Sequence, residues 1–176
     1  MQVNMKYAHI EQERRYLVLG NSSYPDPIRK LSIRDLYFNG TNLRLRRVDE
    51  SSNPTVFKFG QKIRVGNDFK FQIAHTTMYI SSDEFELLAS LPAKTLEKKR
   101  SIFPLEDLQF ALDEFEGALA GLSLIEVDLG RRDVTHAPLP IEGLIEVTSD
   151  ERFTGGELVK MNHEDLSALL LEYGAK

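Results

Sequence analysis

At 176 residues the chain is long enough for one domain with a real core, or at most two small ones. Hydrophobic residues at 41% and charged residues at 28% mark an ordinary globular protein, and the absence of cysteine removes disulfides, thiolate metal sites and cysteine nucleophiles. The net charge of −5 argues against bulk nucleic-acid binding, no apolar run approaches the ~20 residues of a membrane span, and the opening "MQVNMKYAHI" lacks a secretory pattern, so the expectation is a cytoplasmic location with neither DNA nor membrane as partner.

In chain order, the patterning predicts strands over 9–19, 31–38, 42–49 and 55–64, then over 68–79, 94–103, 107–116, 121–130 and 143–149. The turns between them are short and polar: "NGT" at 39–41, "DESSNP" at 49–54, "VGND" at 65–68 and "PLED" at 104–107. Turns of this length join antiparallel neighbours. Two segments read as helices. "SSDEFELLASL" (81–91) has a serine cap and an acidic first turn, and "NHEDLSALLLEYG" (162–174) has Asn162 as cap and Gly174 as stop. A weaker third helix is predicted over 24–31. No linker or repeat divides the chain, so residues 1–176 read as a single α+β domain dominated by an antiparallel sheet, and a sheet of this size curls or closes.

One face of nearly every predicted strand is charged. "IEQERRYLV" sets Glu11, Glu13 and Arg15 on one face; "NLRLRRV" sets Arg44 and Arg46 against Leu43 and Leu45. "TVFKFGQK" places Lys58 opposite Phe57 and Phe59, and "LEKKRSIF" aligns Lys98 with Arg100. "FALDEF" carries Asp113, "LSLIEVDLG" carries Glu126 and Asp128, and "LIEVTSD" carries Glu146. For any single strand a solvated face explains this alternation. The sum is more telling, because acids and bases are sorted onto different segments and arginine is favoured, as fixed multidentate recognition of phosphate oxygens requires. If the sheet closes with these faces inward, buried charge needs matching. Divalent metal on the carboxylates and a polyanion on the cations would supply it.

The ordered set "IEQERRYLV", "RDLYF", "LRLR", "FKF", "LEKKR", "ALDEFEGALAGLSLIEVDL" and "IEVTSDERF" resembles the CYTH family, also called triphosphate tunnel metalloenzymes, over most of the chain. The resemblance implies a closed antiparallel eight-stranded barrel with a charged interior, flanked by a few helices. It implies a metal-dependent hydrolase of tripolyphosphate or a nucleoside or thiamine triphosphate. Position by position, it makes Glu11, Glu13, Glu126 and Asp128 ligands of Mg²⁺ or Mn²⁺. It makes Arg44, Arg46, Lys58, Lys98 and Arg100 phosphate-binding cations, and Glu13, Arg15 and Glu146 the candidate catalytic groups. Asp35 and Asp113 would orient arginines, and Arg152 is a lesser candidate cation. Arg15 replaces the lysine of the family's ExExK signature, and Gln72, His75, Thr76 and Thr77 stand where the fifth strand often carries acids. The same resemblance admits a class IV-type adenylyl cyclase, and a non-catalytic module binding polyphosphate or a nucleotide is the reading from a different class.

Overall fold

Strict alternation through segments such as "NLRLRRV" and "TVFKFGQK" gives each strand two chemically different faces, and closure of the sheet turns one of them inward. The computed structural model of the chain describes residues 6–20, 23–64, 72–130 and 143–175. Its strands are β1 (His9–Val18), β2 (Arg29–Phe38), β3 (Leu43–Glu50), β4 (Asn53–Arg64), β5 (Gln72–Ile80), β6 (Ala93–Leu105), β7 (Leu108–Phe115), β8 (Ser123–Asp128) and the short β9 (Leu144–Glu146). The helices are α1 (Ser82–Ala89), α2 (Gly155–Leu158) and α3 (His163–Glu172). The turn "VGND" and the start of the fifth predicted strand lie outside the described residues.

The sheet runs β5-β4-β3-β2-β6-β7-β8-β1, and β1 returns to β5 to close an eight-stranded antiparallel barrel. The seam is short, from His9 opposite His75 to Gln12 opposite Gln72. Beyond it the same strand takes β9 as a partner, from Tyr16 opposite Glu146 to Val18 opposite Leu144. On its other side β1 pairs β8, from Glu13 opposite Asp128 to Leu17 opposite Leu124.

Apolar residues cover the outside in two places. Leu36, Phe38 and Leu45 pack under Phe85 of α1, with Phe57 and Phe59 beside them. The helix is set by a capping box in which the Ser81 hydroxyl accepts from the Glu84 amide and the Glu84 carboxylate accepts from the Ser81 amide. Tyr16, Phe103, Phe110, Ile125 and Val127 form a second outer cluster, against which Tyr24 packs with its ring 5.6 Å from that of Phe103.

The third apolar cluster closes one end of the barrel. Leu17, Leu96, Phe115 and Leu124 lie on the faces that carry Arg15, Lys98, Asp113 and Glu126 two residues away, so they point inward. Phe153, Leu158, Leu166 and Leu169 pack onto them, which puts α2 and α3 across the opening. The leucine stripe of α3 is thus a plug. Among the described residues no helix is long and apolar enough to cross a membrane.

The predicted helix over 24–31 is not formed. Residues 24–27 have no regular structure, and Arg29 already belongs to β2. Pro25 and Pro27 bias Tyr24 and Asp26 before them away from helical dihedrals, while the Ile28 amide donates to the Ile102 carbonyl at 2.8 Å and begins the ladder with β6.

Candidate functional site

The inward charges surround a cavity of about 400 Å³, within the range of small-molecule sites. Glu13, Arg15, Arg44, Arg46, Lys98, Arg100 and Glu126, each singled out in the sequence, border it. They come from β1, β3, β6 and β8, so only barrel closure brings them together.

Three clusters organise these charges. On β2 and β3, the Arg46 guanidinium donates to both oxygens of Asp35 at 2.6 and 2.7 Å, and Arg44 Nε lies 3.7 Å from the same carboxylate. Asp35 is 1% exposed. Burial alone would raise its pKa, but Arg46 and Arg44 hold it well below the usual carboxylate range.

On β6, β7 and β8, Asp113 accepts from Lys98 at 2.5 Å and from Arg100 through both oxygens. Arg100 reaches on to Glu126 at 2.6 Å, and Arg15 donates to the other oxygen of Glu126 at 2.9 and 2.8 Å. Burial pushes the Lys98 ammonium pKa down, while Asp113 draws it back up. Burial likewise opposes ionisation of Glu126, yet Arg15, Lys98 and Arg100 hold it well below the ordinary value.

The third cluster joins β1, β4 and β5. Lys62 places its ammonium 2.9 Å from Glu11 and 2.5 Å from Glu13. Glu11 also contacts His75 Nδ1 at 2.6 Å, and the other ring nitrogen of His75 is 2.7 Å from the Thr77 hydroxyl. Burial raises the Glu11 pKa, but the His75 hydrogen bond and the Lys62 charge bring it well below the carboxylate norm. Gly60 leaves room for this cluster, since a Cβ there would come within 2.8 Å of the Thr76 carbonyl and 3.5 Å of His75 Nε2.

The structure places several predicted site residues elsewhere. Glu146 stands opposite Tyr16 on the outer face of β1, where Arg14 binds both its oxygens and Thr148 donates to one. Asp128 is exposed at the end of β8, and its Oδ1 accepts from the amides of Gln12 and Gly130 at 3.1 and 2.9 Å. Lys58 shares the inward face of β4 but stops short of the cavity, its ammonium 5.0 Å from the centre of the Tyr79 ring. Arg152 lies outside the cavity, paired with Asp150 and Glu172. Conversely, Lys62 and His75 border the cavity without having been singled out for a role. The signal for Lys62 is in "FKFGQK", because period two carries the face of Lys58 through Gly60 to Lys62.

Among the described residues no three acidic or histidine side chains converge as a ready-made metal cage. Glu126 and Asp128 are committed to protein partners, whereas Glu11 and Glu13 both reach the Lys62 ammonium, with Arg15 standing 3.7 Å from Glu13. Two hard carboxylates around one positive charge fit the way Mg²⁺ is held, by one or two carboxylates with substrate phosphates completing the shell.

No protein-family model and no curated protein matches the chain. Solved structures do. The chain is 26% identical to the hypothetical protein NE1496, with a TM-score of 0.57 over 86% of this chain and 99% of that one. Against a structure of the inorganic triphosphatase NE1496 the identity is 25% and the TM-score 0.55, covering 86% and 95%. A conserved hypothetical protein from Pyrococcus furiosus shares the fold at 16% identity and a TM-score of 0.50, over 94% and 91%. The closed eight-stranded barrel with inward charge is the architecture that the CYTH resemblance implies, and in it the chain is similar to a protein described as an inorganic triphosphatase.

Proposed function

We propose that this protein hydrolyses the phosphoanhydride bond of a triphosphate held in the barrel cavity. The observation that carries the reading is the convergence of Arg15, Arg44, Arg46, Lys98 and Arg100 on one cavity. The likeness to a protein described as an inorganic triphosphatase supports it.

Phosphoryl transfer asks a protein for positioning and for stabilisation of charge on phosphate oxygens. Arg44 and Arg46 from one wall, with Lys98 and Arg100 from another, would hold the phosphate chain between them. Asp35 and Asp113 fix the angles of those cations, so little reorganisation is left for the moment of reaction. Arg15 is held against Glu126 and would stabilise charge that develops on the leaving phosphate. The plug formed by Leu17, Leu96, Leu124 and α3 keeps bulk water from that end, which strengthens each charge contact inside. Glu11 and Glu13 are the residues that would hold Mg²⁺ or Mn²⁺, which supplies neutralisation of phosphate oxygens and an acidified water. Glu146 and Asp128 take no part in this reading.

The test is release of orthophosphate from tripolyphosphate, ATP and thiamine triphosphate, each with Mg²⁺, with Mn²⁺ and with EDTA. Metal-dependent orthophosphate release is the expected outcome, and the preferred substrate then defines the specificity. Pyrophosphate with a cyclic nucleotide from ATP would establish a cyclase instead. Stabilisation by tripolyphosphate without any product would establish a binding module.

A further inference from the structure

Glu11 and Glu13 stand two residues apart on the inward face of β1, and both carboxylates turn toward the Lys62 ammonium, at 2.9 and 2.5 Å. Lys62 reaches them from β4, across the seam where β5 closes onto β1. One Glu11 oxygen is engaged by His75, leaving the other for the ammonium. The carboxylates that would bind a divalent ion therefore already surround a cation supplied by the chain. The other two acids that the sequence assigns to a metal are engaged elsewhere, Glu126 by Arg15 and Arg100 and Asp128 by two backbone amides.

We infer that Lys62 is an internal counter-ion of the Glu11–Glu13 pair, which a divalent metal displaces only when a phosphate chain is present to receive the lysine. This rests on the reading that the cavity takes a triphosphate. A metal ion arriving alone meets a site whose charge is already partly offset by Lys62, and displacing Lys62 would leave the ammonium beside it in a partly enclosed space. A triphosphate changes that balance: its oxygens accept the released ammonium and complete the shell of the metal. Metal and triphosphate then enter as a coupled unit. Linkage requires each to raise the affinity of the other by the same factor, and Lys62 sets much of that factor.

The test compares binding of Mn²⁺ alone, by calorimetry, to the full chain and to its Lys62→Gln and Lys62→Met variants. In the absence of phosphate the expected result is an affinity about tenfold or more weaker for the unaltered protein than for either variant, within the usual range of coupling between sites. Lys62→Arg, which keeps the charge, should remain weak. Equal Mn²⁺ affinity in the unaltered protein and in the folded neutral variants, as judged by circular dichroism, would overturn the inference.

A second measurement needs no variant. Thermal stabilisation of the unaltered protein is read with tripolyphosphate in EDTA, with Mg²⁺ alone and with both. A combined shift larger than the sum of the separate shifts is expected, and simple additivity would count against coupling. If tripolyphosphate stabilises nothing under any condition, the triphosphate reading itself fails. The Mn²⁺ comparison would still report whether Lys62 guards the carboxylates.

Discussion

Asp35 and Arg46 face each other as cross-strand partners of β2 and β3, and the carboxylate receives two guanidinium N–H groups, at 2.6 and 2.7 Å, in a wall where Asp35 itself is buried. The pair is a device for aiming a cation. Bidentate binding fixes the plane of the guanidinium, and Arg44 is steadied by the same charge at 3.7 Å.

Asp35→Asn keeps the shape but removes the charge that balances Arg46 and Arg44. Breaking one side of a buried pair costs about 3–5 kcal/mol, because the remaining charge is left unmatched. Urea unfolding should show a loss of that order. Added tripolyphosphate should restore more stability to the variant than to the unaltered protein, since it supplies the missing anion. Equal stabilisation of both proteins would mean that the ligand does not contact these arginines.

Glu13 and Glu146 both stood as candidate acids, and barrel closure separates them. Glu13 borders the cavity, whereas Glu146 is bound to Arg14 on the outer face. Glu13→Gln should reduce metal-dependent phosphate release by about a hundredfold or more, the scale of losing a charge that acts in a preorganised site. Glu146→Gln should leave turnover within about twofold. It is expected to cost about 1 kcal/mol of stability or less, as surface pairs do. Loss of turnover in Glu146→Gln with the fold intact would place the reaction elsewhere.

How much of this was legible in the sequence depends on phase. In "NLRLRRV" and "LEKKRSIF" charged and apolar residues alternate cleanly, so the inward position of Arg44, Arg46, Lys98 and Arg100 follows once the sheet closes. Glu146 has apolar neighbours on both sides, Ile145 and Val147. In the barrel both of these pack into the end plug and the acid faces out, an outcome that alternation alone leaves undecided. The ladder partners of β1 were equally hidden, because they depend on contacts far apart in sequence. Pro25 and Pro27 carry the signal against a helix over 24–31, since each biases the residue before it away from helical dihedrals. Lys62 lies on the same alternation as Lys58, and its place beside Glu11 and Glu13 depends on the closure that brings β4 and β5 to β1.

Gly155 opens α2 at the plugged end of the cavity, beside the Tyr37 hydroxyl. A Cβ at this position would lie 2.0 Å from the hydroxyl oxygen and 2.9 Å from Cζ, far inside contact distance. Gly155→Ala must push Tyr37 or α2 aside, and overpacking of this kind costs about 1–3 kcal/mol. Tyr37→Phe removes the nearest atom, so the double variant should lose less than the sum of the singles, with a coupling of about 0.5–3 kcal/mol. Denaturant midpoints of the four proteins measure this directly. Strict additivity would show that α2 moves freely away from the barrel.

Asp150 joins the plug to the end of α3. It accepts from the Arg152 side chain and amide, and the Tyr173 hydroxyl donates to it at 2.7 Å. The Arg152 hydrogen bonds hold its pKa down to about 2, with Tyr173 adding to the effect and partial burial opposing it. A folded-state pKa below the unfolded value of about 3.9 means a contribution to stability that is fully present above that value. It is lost as the pH falls from about 4 toward 2, where the folded carboxylate also takes up its proton. Stability should therefore decline across this window, and Asp150→Asn should flatten part of the decline while lowering the plateau at neutral pH. The measurement is urea unfolding at intervals from pH 7 to pH 2, followed both by circular dichroism and by tyrosine fluorescence. An unchanged slope in the variant would mean that the acid response belongs to the buried carboxylates Asp35 and Glu126, whose depressed values carry the same sign.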